Sequence, residues 1–189
     1  MIKDLENIQF ISKEVPQKYK IALLLAIEKM VAQSKKPFGL LVILGWQEKW
    51  TEEHYLLTDA QQNIFSTKPV GLAHKTPNSI AKILRKTKKF DGAILVRKDG
   101  TICDSGVYLT GLEPGLLLQS LDIEKTGDLS TLLGFREPVH SRHTIAITAS
   151  WQMKDTTVYT VSEENNNIRI YEDGRIVYST ISGEIWPGF

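Results

Sequence analysis

The chain of 189 residues is 42% hydrophobic and 24% charged, with a net charge of +1. Such proportions suit one globular domain of ordinary size that buries a core without staples. They exclude a strong electrostatic pull toward nucleic acid or anionic membrane, and the single cysteine, Cys103, excludes an internal disulfide and a cysteine-built zinc site.

Residues 1–15 are polar and mixed and read as a strand or an ordered arm. They lack the apolar segment and small-residue cleavage site of a secretory signal. The longest apolar run, residues 21–27, is far short of the roughly 20 residues a bilayer needs. A cytoplasmic protein without membrane attachment is expected. Ile21, Leu24, Leu25, Ile27, Met30 and Val31 recur at helical spacing, which predicts a helix over residues 17–34. Pro37 ends it. The run FGLLVIL, residues 38–44, reads as a central strand covered on both faces and closed by Gly45.

Trp46 and Trp50 stand at i and i+4 and suggest a short helical turn. Pro77 opens a helix over residues 77–89, with Ile80, Ile83 and Leu84 on one face and lysines opposite. Residues 90–96, FDGAILV, read as a strand, and Asp99-Gly100 turns the chain into a return strand over 101–109. A long connection, 110–140, holds a short helix at 116–121. Its length marks it as functional or irregular. A helix over 144–153 follows, then strands at 157–162, 168–171 and 175–178, the last two joined at Asp173-Gly174. The fold class is α/β (α+β): a single domain with a central mixed sheet flanked by helices.

Three blocks can carry chemistry. Asp91-Gly92-Ala93 heads a strand with a carboxylate and two small residues, which admits a ligand close to the backbone. Ser141-Arg142-His143-Thr144 stands just before a helix, where N–H groups, a hydroxyl and a guanidinium suit phosphate. Ser162-Glu163-Glu164 ends a strand with carboxylates that suit Mg²⁺ or Mn²⁺. Each block alone also has a plain reading: a strand-edge acid beside a packing glycine, a capped helix, a solvated acidic turn. His54 and His74 have no ligand-like neighbours at short spacing. Cys103 reads as a buried structural thiol. No Gly-Lys-Ser/Thr phosphate loop and no GxGxxG after a strand is present.

In combination the blocks are more specific. DGAILV, SGVYL, SRHTIAIT and VSEENNNIRIYEDGRIV, in this order, resemble the diadenylate cyclase domain, the nucleotide-binding domain of DisA-type proteins, over residues 80–178. LLVILG and KPVGLAHKTPNSIAKIL look similar to archaeal-type members and extend the likeness back to Phe38. Residues 1–36 carry no such likeness and are read as an N-terminal arm and helix; residues 37–189 are read as the nucleotide-binding domain.

The resemblance implies an enzyme that joins two ATP into cyclic di-AMP and releases two pyrophosphates. It implies a face-to-face homodimer, or a higher oligomer, with no nucleic acid or membrane partner. Asp91, with Gly92 and Ala93, would sit near the ribose 3′-hydroxyl, and Leu109 would pack on adenine. Ser141, Arg142, His143 and Thr144 would cradle the triphosphate, with Ser162 and Glu163 beside them. Glu164 and Asp91 would hold Mn²⁺ or Mg²⁺. His140 stands where many members carry glycine, and Thr144 where many carry a second arginine. With the 110–140 connection, His140 favours the alternative: a silent sensor of nucleotide or cyclic dinucleotide on the same fold.

Overall fold

The apolar run that begins at Phe38 becomes the middle of the molecule. In the computed structural model, which describes residues 8–120, 129–137 and 140–184, strand β1 (Leu40–Trp46) is buried along its whole length. It lies parallel to β4 (Ala93–Arg97) and antiparallel to β6 (Thr157–Val161). The remaining strands are β2 (Leu56–Leu57), β3 (Val70–Gly71), β5 (Thr101–Tyr108), β7 (Ile168–Glu172) and β8 (Arg175–Ser179). Together they make an eight-stranded mixed sheet in the order β2-β5-β4-β1-β6-β7-β8, with β3 also on β5.

Period-two alternation decides what each face buries. Val42 and Leu44 of β1, Ile94 and Val96 of β4, and Tyr159 and Val161 of β6 point to one face. There they meet Leu23, Leu24 and Ile27 of α1 (Gln17–Ala32) and Ile80 and Leu84 of α3 (Pro77–Leu84). Leu41, Ile43, Ala93, Leu95 and Val158 point the other way. They meet Leu117 and Leu118 of α4 (Pro114–Ser120) and Ala146, Ile147 and Ala149 of α6 (Ser141–Gln152). The short helices α2 (Thr51–His54) and α5 (Leu129–Leu132) lie in the connections. The mixed α/β architecture is the one expected from the sequence.

Several boundaries differ from the expectation, each for a local reason. Gly45 does not close β1. It takes φ +102° at a register irregularity, and the strand runs on to Trp46. Trp46 is therefore in the sheet and meets Trp50, in a 3₁₀ turn, edge-to-face at 5.7 Å. The helix expected over 77–89 is α-helical only to Leu84; a 3₁₀ turn, Arg85–Thr87, finishes it. Its start is as read: Pro77 is in the first turn and Thr76 Oγ1 accepts from Ser79 N. The helix expected from 144 begins at Ser141, so the Ser-Arg-His-Thr block forms its first turn rather than preceding it. In the 110–140 connection the expected short helix is α4; residue 121, its expected end, lies outside the described residues, as do 122–128 and 138–139.

The N-terminal arm, described from Ile8, makes no strand; residues 1–7 lie outside the described residues. It is pinned by a buried carboxylate. Glu172 accepts from the backbone N–H groups of Ile11 (2.5 Å) and Ser12 (2.9 Å), from Thr157 Oγ1, and from Lys20 Nζ at 2.6 Å. Lys20 and Glu172 are both fully buried, and Lys20 also donates to Ser12 O at 2.7 Å. Cys103 is buried in β5, and burial raises its thiol pKa to about 12, so it is an inert packing group.

Candidate active site

The entrance to β4 is bent by Gly92. Its φ is +84°, and a Cβ there would fall 2.7 Å from Val107 O and 2.8 Å from Gly106 C. Only glycine lets the chain pass β5 this closely. The bend leaves Asp91 exposed at the end of the sheet, just ahead of the buried Ala93. Asp91 is steadied through its backbone: its N–H donates to Gln62 Oε1 at 2.8 Å, and Gln62 Nε2 donates to Asp59 Oδ2 at 3.2 Å. Among the described residues the Asp91 carboxylate has no hydrogen-bond partner.

Beside Asp91 come the last residues of β5, the first turn of α6 and the start of β1. Leu41, Asp91, Gly92, Val107, Tyr108, Leu109, Ser141, Arg142 and Ile145 line one cleft of about 620 Å³, counting space open to solvent. One wall is apolar, with Leu41, Val107, Leu109 and Ile145. The other presents Asp91, Ser141 and Arg142.

The α6 terminus gives this wall its electrostatics. Its N-cap residue, His140, is extended and makes no side-chain cap bond, and the first turn holds no acidic residue. The His143 N–H donates to His140 O at 3.0 Å, and the terminus keeps the partial positive charge that suits an anion. The basic side chains turn to the acidic turn after β6: Arg142 Nη1 donates to Glu163 Oε2 at 3.0 Å, and His140 Nε2 lies 2.5 Å from Glu164 Oε1. Ser162 is buried and shapes that turn, its Oγ accepting from Glu164 N at 3.3 Å. Thr144 is half-buried in α6, and its carbonyl accepts from Thr148 Oγ1.

His143 points inward. Its Nδ1 lies 2.9 Å from Tyr171 Oη and 3.1 Å from Thr160 Oγ1, and its Nε2 lies 3.4 Å from Arg169 Nη1. A guanidinium only donates, so Nε2 accepts and the proton sits on Nδ1. Burial, then the charges of Arg169 and Arg142, lower its pKa from 6.5 to about 3. Arg169 is itself held by Glu184 in a two-pronged pair at 2.7 and 2.8 Å. Burial alone would raise the Glu184 pKa. The bonds from Arg169, Ser179 and the Arg136 N–H outweigh it and hold that carboxyl below its usual value.

The unfolded chain protonates His143 below 6.5, while the fold keeps it neutral down to about 3. Stability is therefore lost as pH falls through this window, by at most about 1.4 kcal/mol per pH unit. Thermal unfolding of the protein and of His143→Gln between pH 7 and 4 should show their stability difference shrinking with acid. A constant difference would mean that His143 takes up its proton equally in the folded and unfolded chain.

Asp91, Gly92, Leu109, Ser141 and Arg142 thus share one cleft, and Glu163 reaches it through Arg142. Ala93, His143, Ser162 and Thr144 lie outside its lining. Glu164 lines a separate small hollow with Glu137, His140, His143, Ser162, Asn165 and Arg169. Among the described residues no group of three or more His, Cys, Asp or Glu converges as a metal cage. The sequence reading missed Leu41, Val107, Tyr108, Ile145 and the supporting Gln62. Leu41 and Val107 read as plain core residues; Gln62 is 29 positions from Asp91 and left no periodic signal.

The family described as DisA bacterial checkpoint controller nucleotide-binding, the diadenylate cyclase (DAC) family, matches residues 26–176. The chain belongs to this family. No curated protein matches it by sequence. Among solved structures, a hypothetical membrane spanning protein from Bacillus cereus is 19% identical, with a TM-score of 0.52 over 86% of this chain and 63% of that one. The chain thus spans less than two thirds of that structure, and the likeness concerns the fold alone. DacA from Staphylococcus aureus is 16% identical, with a TM-score of 0.46, over 89% of this chain and 92% of its own. Among the described residues of this DAC-family chain, no helix is long and apolar enough to cross a membrane.

Proposed function

We propose that the protein is a diadenylate cyclase, joining two ATP into cyclic di-AMP with release of two pyrophosphates. The observation that carries this reading is the cleft itself, which brings the Asp91 carboxylate, without a hydrogen-bond partner among the described residues, together with an uncapped helix terminus and its arginine beside an apolar wall. Adenine packs on Leu109, the ribose 3′-hydroxyl meets Asp91, and the phosphates lie toward Ser141, Arg142 and the α6 terminus. Gly92 and Ala93 allow the close backbone approach. His143, Ser162 and Thr144 support the phosphate side from behind, and Glu163 hands Arg142 over to phosphate.

In each half-reaction the 3′-oxygen attacks the α-phosphorus in line and the bond to the β-phosphate oxygen breaks. A carboxylate with an ordinary pKa near ~4 is a weak base for an alcohol, so Asp91 takes the proton late. Arg142 and the helix terminus balance the charge gathering on the leaving pyrophosphate.

Asp91 in the cleft and Glu164 in the separate hollow each offer a hard oxygen donor of the kind Mg²⁺ or Mn²⁺ prefers, and such an ion is commonly held by one or two carboxylates plus substrate phosphates. When bound, the ion would supply charge neutralisation at the phosphates. One cleft takes one ATP, so the two-fold product calls for two chains face to face. No described residue that lines the cleft precedes Leu41, which fits residues 1–36 as a supporting arm and helix ahead of a nucleotide-binding domain at 37–189. A cytoplasmic setting fits an ATP-dependent reaction.

The test is incubation with ATP and Mn²⁺ or Mg²⁺, with cyclic di-AMP read by chromatography and mass. Below the dimerisation constant the rate should rise faster than linearly with protein concentration; a linear rate there would exclude the face-to-face dimer. The second reading is a silent sensor. The His140–Glu164 and Arg142–Glu163 pairs favour it, because they engage the groups that would meet phosphate. It predicts stabilisation by ATP or cyclic di-AMP with no product.

A further inference from the structure

We propose that Gly39 is a positioning residue for nucleotide recognition: the side chain it lacks is the seat of the Arg142 guanidinium. The inference rests on the reading of the cleft as an ATP site. A Cβ at Gly39 would fall 2.5 Å from Arg142 Nη1, 2.6 Å from Cζ and 2.7 Å from Nη2. These near-equal distances place the guanidinium head in the space a Gly39 side chain would fill. Gly39 is not among the residues with positive φ, so its conformation does not itself demand glycine. At Gly92, by contrast, a Cβ would strike backbone, whereas at Gly39 the three nearest atoms all belong to one arginine head.

The seat is rigid on one side and charged on the other. Gly39 leads directly into the buried strand β1, which fixes its backbone. Glu163 Oε2 accepts from Nη1 at 3.0 Å on the acidic turn. Held between them, Arg142 lines both the main cleft and a smaller hollow shared with Gly39, Thr87 and Phe90. A long cationic side chain is thereby aimed at the phosphate side of the cleft before any ligand arrives, which spares the ordering that binding would otherwise demand.

A methyl group at Gly39 meets only the far end of a flexible side chain. Gly39→Ala should therefore fold normally, with Tm within about 2 °C of the parent, yet displace the guanidinium and its fork of donors. The expected result is an ATP affinity weakened about tenfold, with kcat falling as well where turnover is measured, because the displaced guanidinium also meets the charge on the leaving pyrophosphate. Arg142→Lys supplies the control, because an ammonium has no planar head to seat. In that background Gly39→Ala should change ATP affinity by less than about twofold.

Calorimetric titration of Mg²⁺-ATP into the four proteins reads this out. Parental affinity in Gly39→Ala overturns the proposal, and so does an equal loss in both backgrounds, which would mark a general disturbance of β1. A parent that binds no ATP removes the nucleotide reading itself, and the proposal with it.

Discussion

Asp91→Asn is expected to abolish cyclic di-AMP formation while leaving ATP binding in place. Asn keeps the size of the side chain and the backbone N–H that donates to Gln62, so the bend at Gly92 has no reason to move. What is lost is a negative oxygen able to take the 3′-hydroxyl proton and to share a divalent ion. Loss of a general base alone costs roughly 10²–10⁴-fold. Removal of the cleft carboxylate that would also contact the metal places the expected fall at or beyond the upper end of that range. Initial rates with Mn²⁺-ATP would be compared with the ATP-induced rise in melting temperature. Turnover within about tenfold of the parent would remove Asp91 from the proton path. Loss of both readouts together would give it a binding role instead.

Lys20→Met should be the most damaging single change away from the cleft. Met fills nearly the same length and keeps the apolar stem, so packing alone changes little. Glu172 is left fully buried with its counter-charge gone, holding only the N–H groups of Ile11 and Ser12 and the Thr157 hydroxyl. Breaking a buried pair from one side costs about 3–5 kcal/mol, because the remaining charge has been taken out of water. For a chain of this length that is a fall in Tm of roughly 6–20 °C, read by thermal unfolding at neutral pH. A change under about 2 °C would mean that the arm's backbone N–H groups carry the carboxylate unaided.

What the sequence made legible was what has a period or a turn signature. FGLLVIL, DGAILV and the Asp99-Gly100 and Asp173-Gly174 turns announced β1, β4 and two hairpins. The spacing of Leu24, Ile27 and Met30 announced α1. β2 and β3 are two residues each, too short to leave any alternation. Lys20 sits on the buried face of α1 because of a carboxylate 152 positions away, and no local pattern reports such a partner. The α6 boundary was set three residues late because Ser141, Arg142 and His143 are not apolar and carry no helical stripe. At the cleft, Asp91 and Arg142 stood out by their own chemistry at a strand end and a helix start, whereas Leu109 came only through the family resemblance. The apolar lining and the Gln62 support come from tertiary contact and had no signature of their own.

The long reach of Glu172 has a consequence for biosynthesis. On the ribosome α1 emerges ahead of every strand of the sheet, with a lysine that has no buried counter-ion until residue 172 follows. β1 is in the same position: Leu40 pairs with Val161, so the strand at the centre of the sheet waits for β6 on one side. Until β6 follows, the chain can therefore offer only the β2–β5–β4–β1 half of the sheet, with the β6 side of β1 open. Pairings of such separation close slowly and leave strand edges unprotected meanwhile. The nascent domain should depend on chaperone shielding until its last hairpin is made.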